Sequence, residues 1–203
     1  VRSCAGFFPA AVPLVGPNAD LTAIERHARA TFRRAQRLGV THIVLGSGGA
    51  RRIPEGFDPA RAREQFIEAC RRMGPAAEEF GVTVVLEPLN RAETNFFHRV
   101  DEGVELVDAI AHPNIQLLAD IYHMMREDEG PDSLRKAGAR LRHCHIAEKQ
   151  NRTPPGTAGD DFRPYFRALK EIGYKGGVSI EGRWSRDLET DLRRALDVMR
   201  RQW

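Results

Sequence analysis

Short apolar runs alternate with longer amphipathic stretches along this chain. Residues 4–8, 42–45, 82–86, 115–119, 141–146 and 178–180 form compact runs, bounded by Gly, Pro or Asn and rich in β-branched side chains. Runs of this length and composition predict buried strands. Between them the apolar positions change to helical spacing. Leu21, Ile24, Ala28, Phe32, Ala35 and Leu38 predict a helix, with Thr22 and Glu25 spaced as a capping box and Gly39 as its stop. Asp58 and Pro59 predict a capped second helix with an N1 proline, carrying Phe66, Cys70, Met73, Ala77 and Phe80 inward. Gly74 and Pro75 are expected to kink it. Further helices are expected near residues 100–111, 133–139 and 162–172. The last should start near Arg186 and bury Leu188, Leu192, Ala195, Leu196 and Met199. Strict alternation of strand and helix implies a parallel sheet with right-handed crossovers.

Several of the strands end on a residue able to bind a metal. VTVVLE ends at Glu87, IQLLAD at Asp120, LRHCHI holds His145 near its end, and GVSIE ends at Glu181. The intervals of 33, 25 and 36 residues each match about one strand–helix unit, so parallel strands would bring the four to one opening. Carboxylates crowded within a few ångströms stay ionised together only beside a cation. Two Glu, one Asp and a neutral His suit a hard divalent ion, Mn²⁺ first, with Mg²⁺ or Co²⁺ as alternatives. His143 shares a strand side with His145 but lies deeper, and Cys144 should face the helices as a core thiol. The glycine-rich loop from Gly46 to Gly49 lacks both the dinucleotide and the Walker spacing. It reads as a backbone-rich loop near a substrate or as a plain turn.

Composition narrows the class. With 203 residues, 41% hydrophobic and 29% charged, the chain suits one globular domain over residues 1–203. No apolar stretch nears the roughly 18 residues of a membrane span and no basic-headed leader is visible, so no membrane partner is expected. Cys4, Cys70 and Cys144 form no CxxC pair or disulfide framework, which points to a reduced, cytoplasmic protein. The net charge of +3 rests on arginine pairs such as Arg33 and Arg34 or Arg200 and Arg201 on helices. These read as solvated helix faces, and no nucleic-acid partner is expected.

The segments LEPLNRAETN, ADIYHM, HCHIAEKQNRTPPG and SIEGRW together resemble the xylose-isomerase-like TIM-barrel superfamily, in the branch of ketose 3-epimerases and hydroxypyruvate isomerases. The resemblance implies an α/β (β/α)8 barrel and a metal-dependent isomerase or epimerase of a ketose or small hydroxycarbonyl sugar, working through an enediolate. It implies Glu87, Asp120, His145 and Glu181 as metal ligands, Glu87 and Glu181 also as acid–base groups, and Glu93, His123 and Arg152 as contacts to substrate oxygens. Lys149–Asn151 makes the stretch before Arg152 one residue longer than the family pattern. Aligned this way, residues 4–8 would be the third barrel strand, so the first two βα units are absent. Val1 in place of an initiator Met predicts a fragment, and open strand edges predict a homo-oligomer or another covering partner. An inosose-type dehydratase would share the metal and enolate chemistry. An AP-endonuclease-like trinuclear site needs extra histidines, whereas the first two visible strands end at Gly6, Phe7 and Phe8 and at Leu45, Gly46 and Ser47. An inactive barrel remnant is the non-enzymatic alternative.

Overall fold

The four inner strands of the protein are buried on both faces, and the two faces have different neighbours. In the computed structural model, which describes residues 2–203, Ile43, Leu45, Val84, Leu86, Leu117, Ala119, Cys144 and Ile146 join a continuous core with the helices. Val44, Val85 and Leu118 form a separate small cluster on the opposite side. Alternation of two buried faces is the signature of parallel strands covered by helices. Here the second face is the lumen of a barrel wall.

Among the described residues the sheet has six parallel strands in sequence order, open at both ends. They are β1 (Ser3–Cys4), β2 (His42–Leu45), β3 (Thr83–Leu86), β4 (Ile115–Asp120), β5 (Leu141–Ile146) and β6 (Gly177–Ile180). The helices are α1 (Leu21–Arg37), α2 (Pro59–Glu79), α3 (Val100–Ile110), α4 (Ile121–Arg126), α5 (Asp132–Ala137), α6 (Arg163–Glu171) and α7 (Leu188–Gln202). This is the six-stranded arrangement expected of a (β/α)8 barrel short of two units. No helix among the described residues is long and apolar enough to cross a membrane.

Local chemistry explains most boundaries. α1 is capped by Asp20, whose carboxylate accepts from the N–H groups of Thr22 (2.8 Å) and Ala23 (3.2 Å). The expected capping box of Thr22 and Glu25 is therefore displaced by an aspartate two residues earlier, a stronger N-cap than threonine. Asp58 caps α2 as expected, through the N–H of Ala60 (3.0 Å). α2 is one helix through Gly74 and Pro75; a Cβ on Gly74 would lie 2.6 Å from the His112 ring, so glycine lets that ring sit against the helix. Glu102 accepts from the N–H groups of His98 (2.6 Å) and Arg99 (3.3 Å) and closes the start of α3.

Two further expectations are corrected, and one element was not foreseen. The strand expected over residues 4–8 stops at Cys4, because Gly6 takes a left-handed φ of +75° and turns the chain. Phe7 and Phe8 are then both buried side by side, Phe7 packing on Phe32 of α1 (centroids 5.4 Å apart). The apolar stripe of α7 is not buried: Leu188, Leu192 and Leu196 are 54%, 41% and 38% exposed, and only Ala195 of the expected set is fully covered. The helix period was read correctly, but the described residues cover these leucines only in part, while Met199 packs against the core. Finally, α4 had no counterpart in the sequence reading, and it matters for the site.

Candidate metal and substrate site

Strand parity builds the site. On the lumen side Val44 is followed by Gly46, Val85 by Glu87, Leu118 by Asp120, His143 by His145 and Ser179 by Glu181, two residues on in each case. Period-two alternation therefore brings all of these to the rim at the C-terminal strand ends. Side chains of Glu87, Asp120, His145 and Glu181 each offer one ligand atom there, and the four atoms lie within 4.8 Å of one another. His145 Nδ1 is 2.9 Å from a carboxylate oxygen of both Glu87 and Glu181. Glu87, Asp120 and His145 are buried; Glu181 is half-exposed at the mouth.

Charges in this cluster shift one another strongly. Burial lifts the Asp120 carboxyl to about 7, with the nearby Glu87 charge adding to the effect. Burial disfavours a charge on His145, but its hydrogen bonds to Glu181 and Glu87 outweigh this and raise it to about 10. Burial likewise opposes ionisation of Glu181, yet bonding to His145 and the charge of Arg152 bring it down to about 2. One proton on His145 thus does part of what a divalent cation would do more completely. Three carboxylate oxygens and one imidazole nitrogen gathered within 4.8 Å are a donor set that fits such an ion.

The remaining expected residues surround this cluster. α4 begins at the end of β4, and Asp120 is its N-cap, Oδ1 accepting from the Tyr122 N–H (2.9 Å). One helical turn then carries His123 back over the same carboxylate, its Nε2 3.5 Å from Asp120 Oδ2. The Asn90 N–H donates to His123 Nδ1 (3.2 Å), which leaves the ring proton on Nε2, facing the cluster. Burial, with Arg152 close by, drops His123 to about 3 and keeps it neutral. Arg152 donates to Glu181 Oε2 (2.7 Å), Asp120 Oδ2 (3.1 Å), the Glu181 carbonyl (3.1 Å) and Glu93 Oε1 (3.4 Å). Glu93 also accepts from Asn90 Nδ2 (3.1 Å). All seven residues singled out in the sequence are therefore neighbours.

Two further positions shape the site without carrying its chemistry. A Cβ on Gly46 would stand 2.3 Å from Glu87 Oε2, so the glycine at the end of β2 makes room for that carboxylate. The glycine-rich loop is thus part of the site, and its first residue is the informative one. Asn90 orients His123 and Glu93 together; its place three residues before Glu93 in a proline-bounded loop was the only signal in the sequence. A larger cavity of about 700 Å³ opens at the other end of the strands, between His42, Arg142, His143 and Lys175. No carboxylate lines it, so it lacks the oxygen donors that a hard divalent ion takes.

Comparison with known proteins bears on the family and the fold. L-ribulose 3-epimerase of Methylomonas sp. (strain DH-1) is 36% identical over 142 residues, covering 70% of this chain and 49% of that protein. Hydroxypyruvate isomerase of Escherichia coli (strain K12) is 26% identical over 167 residues, covering 81% of this chain and 64% of that protein. The crystal structure of D-allulose 3-epimerase from Methylomonas sp. in complex with D-allulose superposes with a TM-score of 0.86 at 26% identity, over 100% of this chain and 77% of that one. The chain spans about half the length of the ketose 3-epimerases it matches in sequence. A family profile described as xylose isomerase-like TIM barrel matches residues 3–202. With six consecutive parallel strands of such a barrel and a match along nearly its whole length, the chain belongs to the xylose isomerase-like TIM barrel family.

Proposed function

We propose that the protein contributes the reactive half of a divalent-metal-dependent ketose epimerase, one βα barrel domain that moves a proton at a carbon beside a carbonyl. The observation that carries this reading is the convergence of Glu87, Asp120, His145 and Glu181 within 4.8 Å, beside His123 and Arg152. Homology to sugar epimerases and isomerases supports the substrate class, a ketose such as D-allulose or L-ribulose. The stronger sequence match to a 3-epimerase than to a hydroxypyruvate isomerase favours epimerisation.

Glu87, Asp120, His145 and Glu181 would hold the ion, Mn²⁺ in this reading, which when bound polarises a ketose carbonyl and stabilises an enediolate. Glu87 and Glu181 come from β3 and β6, the outer two of the four ligand-bearing strands, and so flank whatever lies over β4 and β5. One carboxylate removes the proton next to the carbonyl and the other returns a proton from the opposite side, inverting that carbon. His123, neutral and with Nε2–H facing inward, donates to an oxygen at the carbonyl end. Arg152 and Glu93 hold neighbouring hydroxyls. Free thiols at Cys4, Cys70 and Cys144 support a reducing, cytoplasmic setting. The open β1 and β6 edges and the exposed α7 leucines support self-association, which sedimentation would report.

The decisive experiment follows D-allulose and L-ribulose in D₂O by NMR with Mn²⁺ added. Deuterium should enter at the carbon next to the carbonyl, and both Glu87→Gln and Glu181→Gln should slow this by about 10²–10⁴-fold, the scale of losing a general acid or base. Undiminished exchange in either variant would sink the two-carboxylate mechanism. Mn²⁺ bound with no exchange on either sugar would leave a binding barrel without catalysis.

A further inference from the structure

Arg152 approaches its carboxylate neighbours from a loop wound around one buried acid. Glu148, two residues beyond β5, is fully buried, and its carboxylate accepts from the N–H groups of Gly156 (2.7 Å), Gly159 (3.0 Å) and Ala158 and from the Thr153 hydroxyl (3.4 Å). Its own N–H donates to the Thr153 carbonyl (2.8 Å). A carboxylate has about four acceptor sites, so these partners use all of its capacity within the loop.

Inside that ring the backbone does something uncommon. Asn151 and Arg152 both take left-handed φ values, +58° and +54°. Side-chain-bearing residues hold that conformation in succession only where their surroundings over-determine it. The far side of the loop is fixed too: the Arg183 N–H donates to the Arg152 carbonyl (2.7 Å), and a Cβ on Gly182 would meet that same carbonyl at 3.0 Å. Glu148 grips one side of the segment, and the irregular stretch after Glu181 grips the other. Held from both sides, the segment turns the guanidinium into the site.

We propose that Glu148 is the positioning residue for Arg152: by gathering the amides of Gly156, Ala158 and Gly159 it holds residues 151–152 left-handed and aims the guanidinium at Asp120, Glu181 and Glu93. The inference rests on the proposed substrate-contact role of Arg152. An acceptor-only group is required, because a glutamine amide of the same shape would turn an NH₂ toward backbone N–H donors. Glu148→Gln is thus nearly neutral in volume and wrong only in hydrogen bonding.

The test uses the full chain with Mn²⁺ and D-allulose. In Glu148→Gln, amide exchange should accelerate roughly ten-fold, the equivalent of one lost charge-assisted hydrogen bond, at Gly156, Gly159 and also Arg183. The Arg152 Nε–H signal should lose protection, while β2 to β4 exchange as before. KM for the sugar should rise about ten-fold with a smaller change in kcat, and adding Glu148→Gln to Arg152→Ala should cause no further loss. Glu148→Asp, which keeps the charge but shortens the reach, gives an intermediate variant if the glutamine form does not fold. Faster exchange confined to residues 156–159, with Arg183 and Arg152 Nε unchanged, would overturn the proposal. An Arg152→Ala variant with unaltered KM would instead refute the substrate role of Arg152, and the exchange data would still decide what Glu148 positions.

Discussion

A single methyl group at Gly46 should separate the stability of this fold from the integrity of its site. Gly46 does not use a left-handed φ, so alanine fits its backbone, and Gly→Ala at such a position stabilises by about 0.4–1 kcal/mol through the unfolded chain. The new Cβ would stand 2.3 Å from Glu87 Oε2, with the next atoms at 3.5 and 3.8 Å. An ordinary C···O contact is about 3.3 Å, so the carboxylate must retreat by about 1 Å. That oxygen belongs to the end of a flexible side chain, and the retreat costs the fold little. It costs the site a ligand at its proper place: Glu87 leaves the position from which it bonds His145 at 2.9 Å. Displaced support of this kind lowers metal affinity about 10–100-fold, and a 1 Å misplacement of a reacting group costs on the order of 10²-fold in rate. Titration calorimetry with Mn²⁺ and thermal melting should therefore diverge, with affinity down at least ten-fold and Tm unchanged or slightly higher. Gly39→Ala is the control: its φ is +67° with open space around it, so Tm should fall by about 2–4 °C per kcal/mol of strain while Mn²⁺ affinity stays constant. Wild-type Mn²⁺ affinity in Gly46→Ala would refute the packing argument.

Other consequences are equally direct. Metal uptake must displace the proton that His145 holds up to a pH of about 10, so Mn²⁺ affinity should rise about ten-fold per pH unit between 7 and 9. Below about 7 protonation of Asp120 should steepen that dependence; calorimetry showing affinity flat from pH 6 to 8 would contradict the charge assignment. Gly74→Ala pushes a Cβ to 2.6 Å from the His112 ring and should destabilise by about 1–3 kcal/mol in denaturant melts; an unchanged midpoint would show that the α2 contact yields freely. Arg51 is fully buried over the Phe97 ring (4.0 Å) and its guanidinium nitrogens find no hydrogen-bond partner among the described residues. Burial, partly offset by Glu87, pushes its pKa down to about 9, so the native state holds this proton less tightly than the unfolded chain and the charge destabilises the fold at neutral pH. Arg51→Met should accordingly raise stability by about 1–4 kcal/mol, and a lower Tm would mean that the guanidinium has a partner such as buried water.

The order of strands was legible because each is a short β-branched run between turn residues, and β5 runs from Leu141 to Ile146 as read. The ends were less legible where the backbone overrides pattern. Residues 5–8 look like strand by composition, yet Gly6 turns them out of the sheet, and Asp20 rather than Thr22 starts α1. α4 was missed because six residues directly after a strand leave no room for a helical period to show. The α7 leucines follow that period faithfully, yet they stay exposed, since periodicity reports which face is apolar and not whether anything covers it.

By itself, the sequence determined that strands and helices alternate and that four of the strands end on Glu87, Asp120, His145 or Glu181. Alternation of two along a strand and intervals of one βα unit then require these side chains to share a rim. Only the tertiary structure decided how closely they meet. It showed that His145 bridges Glu87 and Glu181, that Asp120 caps the helix returning His123, and that Gly46 yields its side-chain space to Glu87. The two His145 bridges join residues 58 and 36 positions apart and the Gly46 contact depends on a missing Cβ, and no local pattern encodes a distance between separate elements.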